Sequence, residues 1–173
     1  MRGAAKFSKR GFTVLELVAV LVVIIILSAV GSPLLSRYFK RMKTAEALTN
    51  LRKIYDGEVA YYQQAVLSQG GAVPAKRFVA CPPTPANIPG AIKQYAIWDD
   101  PAWQAIRFAP DAPVLYRYSV AAGGVEKDAA FTARAEGDID GNKITSNFER
   151  VGSVDPVTGA VVGGAVFALN PLE

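Results

Sequence analysis

The 173-residue chain has no histidine and a single cysteine. Those scarcities remove whole classes of chemistry. An intramolecular disulfide needs two thiols, a zinc cluster needs several Cys or His ligands, and a Ser-His-Asp triad needs an imidazole. Cys81, in Cys81-Pro82-Pro83, is left as a buried small residue, a free thiol or an intermolecular bridge, and burial is the plainest of the three. No nucleophile and base pair, acid pair or phosphate-binding glycine loop stands out, so no enzyme is expected. Long apolar runs are scarce as well: beyond Val30 no stretch is long and apolar enough to cross a bilayer.

Excess charge is scarce once the first eleven residues are set aside. The chain carries 19 Lys and Arg against 15 Asp and Glu, a formal net charge of +4. Arg2, Lys6, Lys9 and Arg10 account for all of that excess. The basic balance therefore does not indicate nucleic acid; it records an N-terminal region that the positive-inside rule keeps cytoplasmic. Arg37, Lys40, Arg41 and Lys43 follow the apolar run closely, so orientation rests partly on the short N-terminus itself.

What is present begins with Lys9-Arg10-Gly11-Phe12-Thr13-Val14-Leu15-Glu16, which runs straight into Leu17 to Val30. A secretory signal peptide has an apolar core of roughly 7 to 15 residues and a cleavage site after it. The run from Phe12 is longer and carries Glu16 near its start. A plain anchor of about 20 residues fits the length but leaves the carboxylate unexplained, since a mid-membrane Asp costs about 2.5 to 3.5 kcal/mol and charges in spans mark function.

Gly11-Phe12-Thr13-Val14-Leu15-Glu16 resembles the cleavage motif of type IV prepilins and type II secretion pseudopilins. The resemblance implies a peptidase cut after Gly11, on the cytoplasmic side of the apolar segment, with Phe12 as the new, N-methylated terminus. Glu16 would be the fifth residue of the mature chain and would meet the N-terminal ammonium of a neighbouring subunit. Buried charges cost several kcal/mol each unless paired, so an unpaired Glu16 favours joining a partner. Pro33, twenty-two residues after the proposed cut, matches a proline common in the family. The implied partners are the prepilin peptidase, other pilin or pseudopilin subunits, an inner-membrane assembly platform and, before assembly, the membrane. The implied location is the bacterial inner membrane as a single-pass protein with an extracytoplasmic head, then a periplasmic pseudopilus or an extracellular pilus. Many major pilins close a C-terminal loop with a disulfide, so the lone cysteine points to a minor pilin or pseudopilin.

The expected fold is α+β and pilin-like: a long kinked N-terminal helix whose C-terminal half packs on an antiparallel sheet of three or four strands. Residues 1–11 form the cleaved leader, 12–33 the transmembrane and assembly half of the helix, and 34–69 its amphipathic half. Residues 70–113 form a Pro-rich connecting loop region, and 114–173 the sheet and tail. Pro33 is expected to kink the helix, because it removes a donor and clashes with the preceding turn. Tyr38, Met42, Ala45, Leu48, Leu51, Tyr55, Val59, Tyr62 and Val66 recur at three- and four-residue steps, which predicts the buried stripe, and Gly70-Gly71 marks the stop.

In the Pro-rich region Asp100 can cap a short helix that Pro101 starts, and Trp98 and Trp103 are expected to be packing anchors. If the family reading holds, the surface of this region distinguishes the subunit from its neighbours. Strands are expected over 114–121, with Tyr116, Tyr118 and Val120 on one face, and over 129–136, with Phe131, Ala133 and Ala135 on one face. A third covers 144–150, with Ile144 and Phe148 in phase. Residues 161–169 form a last strand interrupted at Gly163-Gly164.

Gly137-Asp138-Ile139-Asp140-Gly141-Asn142 is the sharpest motif of the head. Asp138, Asp140 and Asn142 are spaced by two, so one loop could turn three hard oxygens toward a calcium ion. The glycine sits at the fourth position and no flanking helices are evident, which excludes an EF-hand, although Glu149 occupies the twelfth position. The plain alternative is a turn between two strands. No cofactor is required, and calcium is the one candidate. Two functions stay open: a structural subunit that polymerises through its N-terminal helix, and a single-span anchored protein whose head binds a ligand without polymerising.

Overall fold

The computed structural model describes residues 11–64 and 75–173, so most of the expected leader and the Gly70-Gly71 stop lie outside the described residues. The chain divides into two units, Met1–Tyr38 and Phe39–Glu173. In the first, helix α1 (Val14–Gln64) begins and passes Pro33 without a break. Every described residue of this unit is exposed except Gly31, which is half-buried. This is the one described helix long and apolar enough to cross a membrane, and none of its most apolar stretch is buried.

The second unit is α+β. It holds β1 (Cys81–Thr84), α2 (Pro101–Ala105), β2 (Arg117–Gly123), β3 (Ala130–Gly137), β4 (Ser146–Val154), β5 (Val161–Gly163) and β6 (Phe167–Leu169), besides the C-terminal part of α1. The strands form one antiparallel sheet in the order β1-β2-β3-β4-β5, with β6 also on β4. Six strands replace the three or four expected, for two physical reasons. β1 comes from the segment assigned to loop: Pro82 and Pro83 have no N–H to give, which a strand tolerates at a sheet edge, and β1 is an edge. The expected last strand is two, because nine-residue β4 offers one edge to both, pairing residues 152–154 with β5 and 147–149 with β6.

Alternation on the central strands is as their sequence dictates. Tyr116, Tyr118, Val120, Phe131, Ala133, Ala135 and Phe148 are buried on one face, whereas Ile144 lies outside the strands and is exposed. Each large apolar side chain removed from water contributes about 1.5 to 3 kcal/mol. The helix face differs from the expected stripe. Thr44, Ala47, Asn50, Leu51, Ile54, Glu58 and Tyr62 are buried, while Tyr38, Met42 and Leu48 are exposed. The rotation follows from polar groups that find partners inside: Asn50 donates to the Tyr118 hydroxyl at 2.9 Å, and Glu58 accepts the Val79 amide at 2.9 Å. Gly57 permits the closest approach, since a Cβ there would collide with the backbone oxygen of Ile106.

The Pro-rich segment is pinned by its aromatics. Asp100 caps α2 by accepting the Ala102 amide at 2.8 Å, with Pro101 in the first turn. Trp103, fully buried, stands edge-on to Trp98 at 5.2 Å and donates its indole N–H to the Thr84 hydroxyl at 2.9 Å. That bond ties α2 to β1.

Candidate functional site

The N-terminal motif is built around one hydroxyl. The Thr13 side chain accepts the Glu16 amide at 3.2 Å, and the Thr13 carbonyl accepts Leu17 N–H at 3.1 Å as the first helical bond. Thr13 is therefore the N-cap of α1. Thr13-Val14-Leu15-Glu16 also has the residue pattern of a capping box, with a glutamate at the third helical position. This gives Glu16 a local role beside any assembly role: a carboxylate in the first turn offsets the positive end of the helix dipole by about 0.3 to 1 kcal/mol. The Thr-x-x-Glu pattern is visible in the sequence at the head of the apolar run.

With Thr13 as the cap, Gly11 and Phe12 precede the helix and their peptide bond lies in exposed, non-helical backbone. Phe12 is 73% exposed, and among the described residues nothing lies within 4 Å of the position a Gly11 side chain would take. Glu16 is exposed and has no ion pair among the described residues. Gly11 and Phe12 thus lie just before α1 and Glu16 in its first turn. Pro33 lies farther along that helix, and Asp138, Asp140 and Asn142 belong to the other unit.

Loop 138–145 joins β3 to β4. Asp138 is nearly buried: its Oδ1 accepts Gly141 N–H at 2.7 Å and Asn142 N–H at 3.2 Å, and its Oδ2 accepts Lys143 N–H at 2.9 Å. Asp140 Oδ1 accepts Asn142 N–H at 3.2 Å, while its Oδ2 accepts the Lys40 ammonium at 2.8 Å. Asn142 turns its oxygen to Ile144 N–H at 2.7 Å and its amide nitrogen to Glu173 at 2.6 Å. Gly141, with φ of 80°, takes the left-handed conformation this wrap needs. The Lys40 hydrogen bond holds the Asp140 carboxyl below its usual range. Glu149 points elsewhere, paired with Arg134 at 2.7 Å. Among the described residues, no group of three His, Cys, Asp or Glu is arranged to hold a metal ion.

No family model, curated protein or solved structure matches this chain.

Two further groups in the head take their character from the fold and not from their local sequence. Glu58 is fully buried; one oxygen takes the Val79 amide and the other has no partner among the described residues. Burial pushes its carboxyl up to about 7, against the smaller opposing effect of that amide. A glutamate inside a helical pattern reads as a surface residue, so only the fold reveals it. Cys81 is free and buried, and burial foremost, then Glu58 and Asp100, keeps its thiol protonated far above the ordinary range. A buried, protonated thiol is a poor nucleophile, so the fold supports the reading of Cys81 as a buried small residue.

Proposed function

We propose that this chain is a structural subunit, a minor pilin or pseudopilin, cut by a prepilin peptidase between Gly11 and Phe12 and polymerised through its N-terminal helix. The observation that carries the reading is the coincidence of three features at the start of α1. A peptide bond stands in exposed backbone just before a capped helix, a carboxylate sits in the first turn without an ion pair among the described residues, and every apolar side chain that follows up to Tyr38 is exposed. A peptidase needs extended, accessible backbone, and an uncovered apolar helix needs first lipid and then other helices. Cutting at Gly11 leaves Phe12 with an ammonium that a neighbour's Glu16 can pair with in low dielectric.

The head supports the same reading from a different direction. Ile92, Tyr95 and Ile97 in the Pro-rich segment are 82, 83 and 78% exposed, large apolar side chains left in the open of the kind that subunit contacts cover. Before assembly the subunit stands in the inner membrane with its head outside the cytoplasm; the assembled form is a type IV pilus or a type II secretion pseudopilus.

Processing decides between this and the anchored, non-polymerising binder. Mass spectrometry of the chain purified from membranes is expected to find a mature N-terminus at N-methylated Phe12. An intact Met1 terminus would contradict the proposal and favour the anchored binder.

A further inference from the structure

Lys40 and Lys43 stand three positions apart on α1, on neighbouring sites of one helix face, and both end on loop 138–143. The Lys40 ammonium lies 2.8 Å from Asp140 Oδ2, and the Lys43 ammonium donates to the Ile139 carbonyl at 2.7 Å. One position on, the Thr44 hydroxyl donates to the Pro171 carbonyl at 2.8 Å, and Asn142 reaches Glu173 at 2.6 Å. Helix residues 40–44, loop 138–143 and the last residues of the chain are thus one hydrogen-bonded cluster within the head.

Calcium would need six to eight oxygens converging on a point at about 2.3 to 2.6 Å from each. Each of this loop's acceptors already faces a hydrogen-bond donor, two of them ammonium groups. Asp138 accepts three backbone amides across its two oxygens, Asp140 Oδ2 faces an ammonium, the Asn142 oxygen faces an amide, and the Ile139 carbonyl faces the second ammonium. A divalent ion would have to displace two like charges and break the amide bonds that shape the turn. The donor set does not fit calcium.

We propose that Lys40 and Lys43 are built-in cations, which latch the acidic loop and the C-terminal residues to α1 so that the head holds this loop with no divalent ion. Two fixed monovalent charges do here, by position, what a bound ion does by coordination. The latch answers to ionic strength and not to calcium, because the Lys40–Asp140 pair is partly open to solvent, at 30% and 26% side-chain exposure. The inference concerns the head alone and stands or falls apart from assembly.

The test uses the full chain in detergent, with tryptophan fluorescence as the melting signal, because the only two tryptophans are Trp98 and Trp103, both in the head core. Wild type is expected to melt at the same temperature in millimolar calcium chloride and in chelator, and calorimetric titration with calcium chloride is expected to show no binding. The Lys40→Met, Lys43→Met double variant is expected to melt lower by about 3 to 6 °C, the shift that roughly 1 kcal/mol produces in a domain of this size. Should the double variant fail to fold, Lys40→Gln combined with Asp140→Asn in a double-mutant cycle tests the Lys40 arm of the latch, with measurable coupling expected. Calcium that raises the wild-type melting temperature would overturn the proposal. So would lysine variants that melt like wild type, or a cycle without coupling.

Discussion

Residues 14–38 and 39–64 belong to one helix, yet they are written for different surroundings. The first part is apolar on every side and exposed throughout apart from Gly31, with Glu16 its one acidic residue. The second buries Thr44, Asn50 and Glu58 while it leaves Met42 and Leu48 in the open. The contrast teaches that hydrophobicity alone locates the first part, whereas the second is oriented by where polar groups find partners. An exposed methionine costs little, but a buried amide or carboxyl without a partner costs about 1 to 3 kcal/mol. The turn of the helix that pairs Asn50 with Tyr118 is the one adopted, and it carries Glu58 inside with one oxygen on the Val79 amide and the other without a partner among the described residues.

The sharpest way to break this comparison is to cut the same side chain in both parts. Leu51→Ala, at a site with no exposure, is expected to destabilise the head by about 2 to 5 kcal/mol in denaturant melts followed by tryptophan fluorescence. Leu21→Ala, at a half-exposed site in the first part, is expected to leave that melt within about 0.5 kcal/mol of wild type. Equal effects would mean that the two parts are not differently supported.

Next in size is the pH dependence set by Glu58. Its folded pKa of about 7 lies above the ordinary 4.5, so the folded head binds this proton more tightly than the unfolded chain does. Its stabilising contribution is complete below pH 4.5 and is lost as pH rises through 7. Relative to Glu58→Gln, wild type is expected to lose on the order of 3 kcal/mol between those two pH values, at 1.36 kcal/mol per pKa unit. Parallel stability profiles for the two proteins would show that the buried carboxyl does not titrate in this window.

Gly57 sharpens the comparison at the smallest scale. In an exposed helix interior, Gly→Ala gains about 1 kcal/mol from propensity. Gly57→Ala is expected to lose about 1 to 2 kcal/mol net, because the added methyl meets the Ile106 carbonyl oxygen and overpacking outweighs the gain. A more stable variant would show that the α1–α2 contact yields.

Much of this architecture was legible before the fold. The α1 run, the Asp100 cap, both tryptophan anchors and the alternation of the β2 and β3 segments follow from local pattern, because each is decided by residues close in sequence. The rest depends on distant partners. Nothing near Glu58 announces the Val79 amide that draws it inside. Nothing in Cys81-Pro82-Pro83-Thr84 announces the β2 edge it joins, and the three-residue strands β5 and β6 exist only because β4 is long enough to hold both. At the N-terminus the cap on Thr13 was legible, whereas in loop 138–143 the spacing of acidic residues was visible and the lysines that answer them were a hundred residues away.

Glu16 is where the two accounts of the first part separate most cleanly. Glutamine at the third helical position keeps the length and the capping pattern of glutamate but removes the charge. If the carboxylate serves to pair with a neighbour's Phe12 ammonium, Glu16→Gln expressed in place of wild type will reach the membrane at the normal level and will be absent from, or strongly depleted in, purified fibres. Incorporation of Glu16→Gln at the wild-type level would contradict that pairing and leave Glu16 as a helix cap alone.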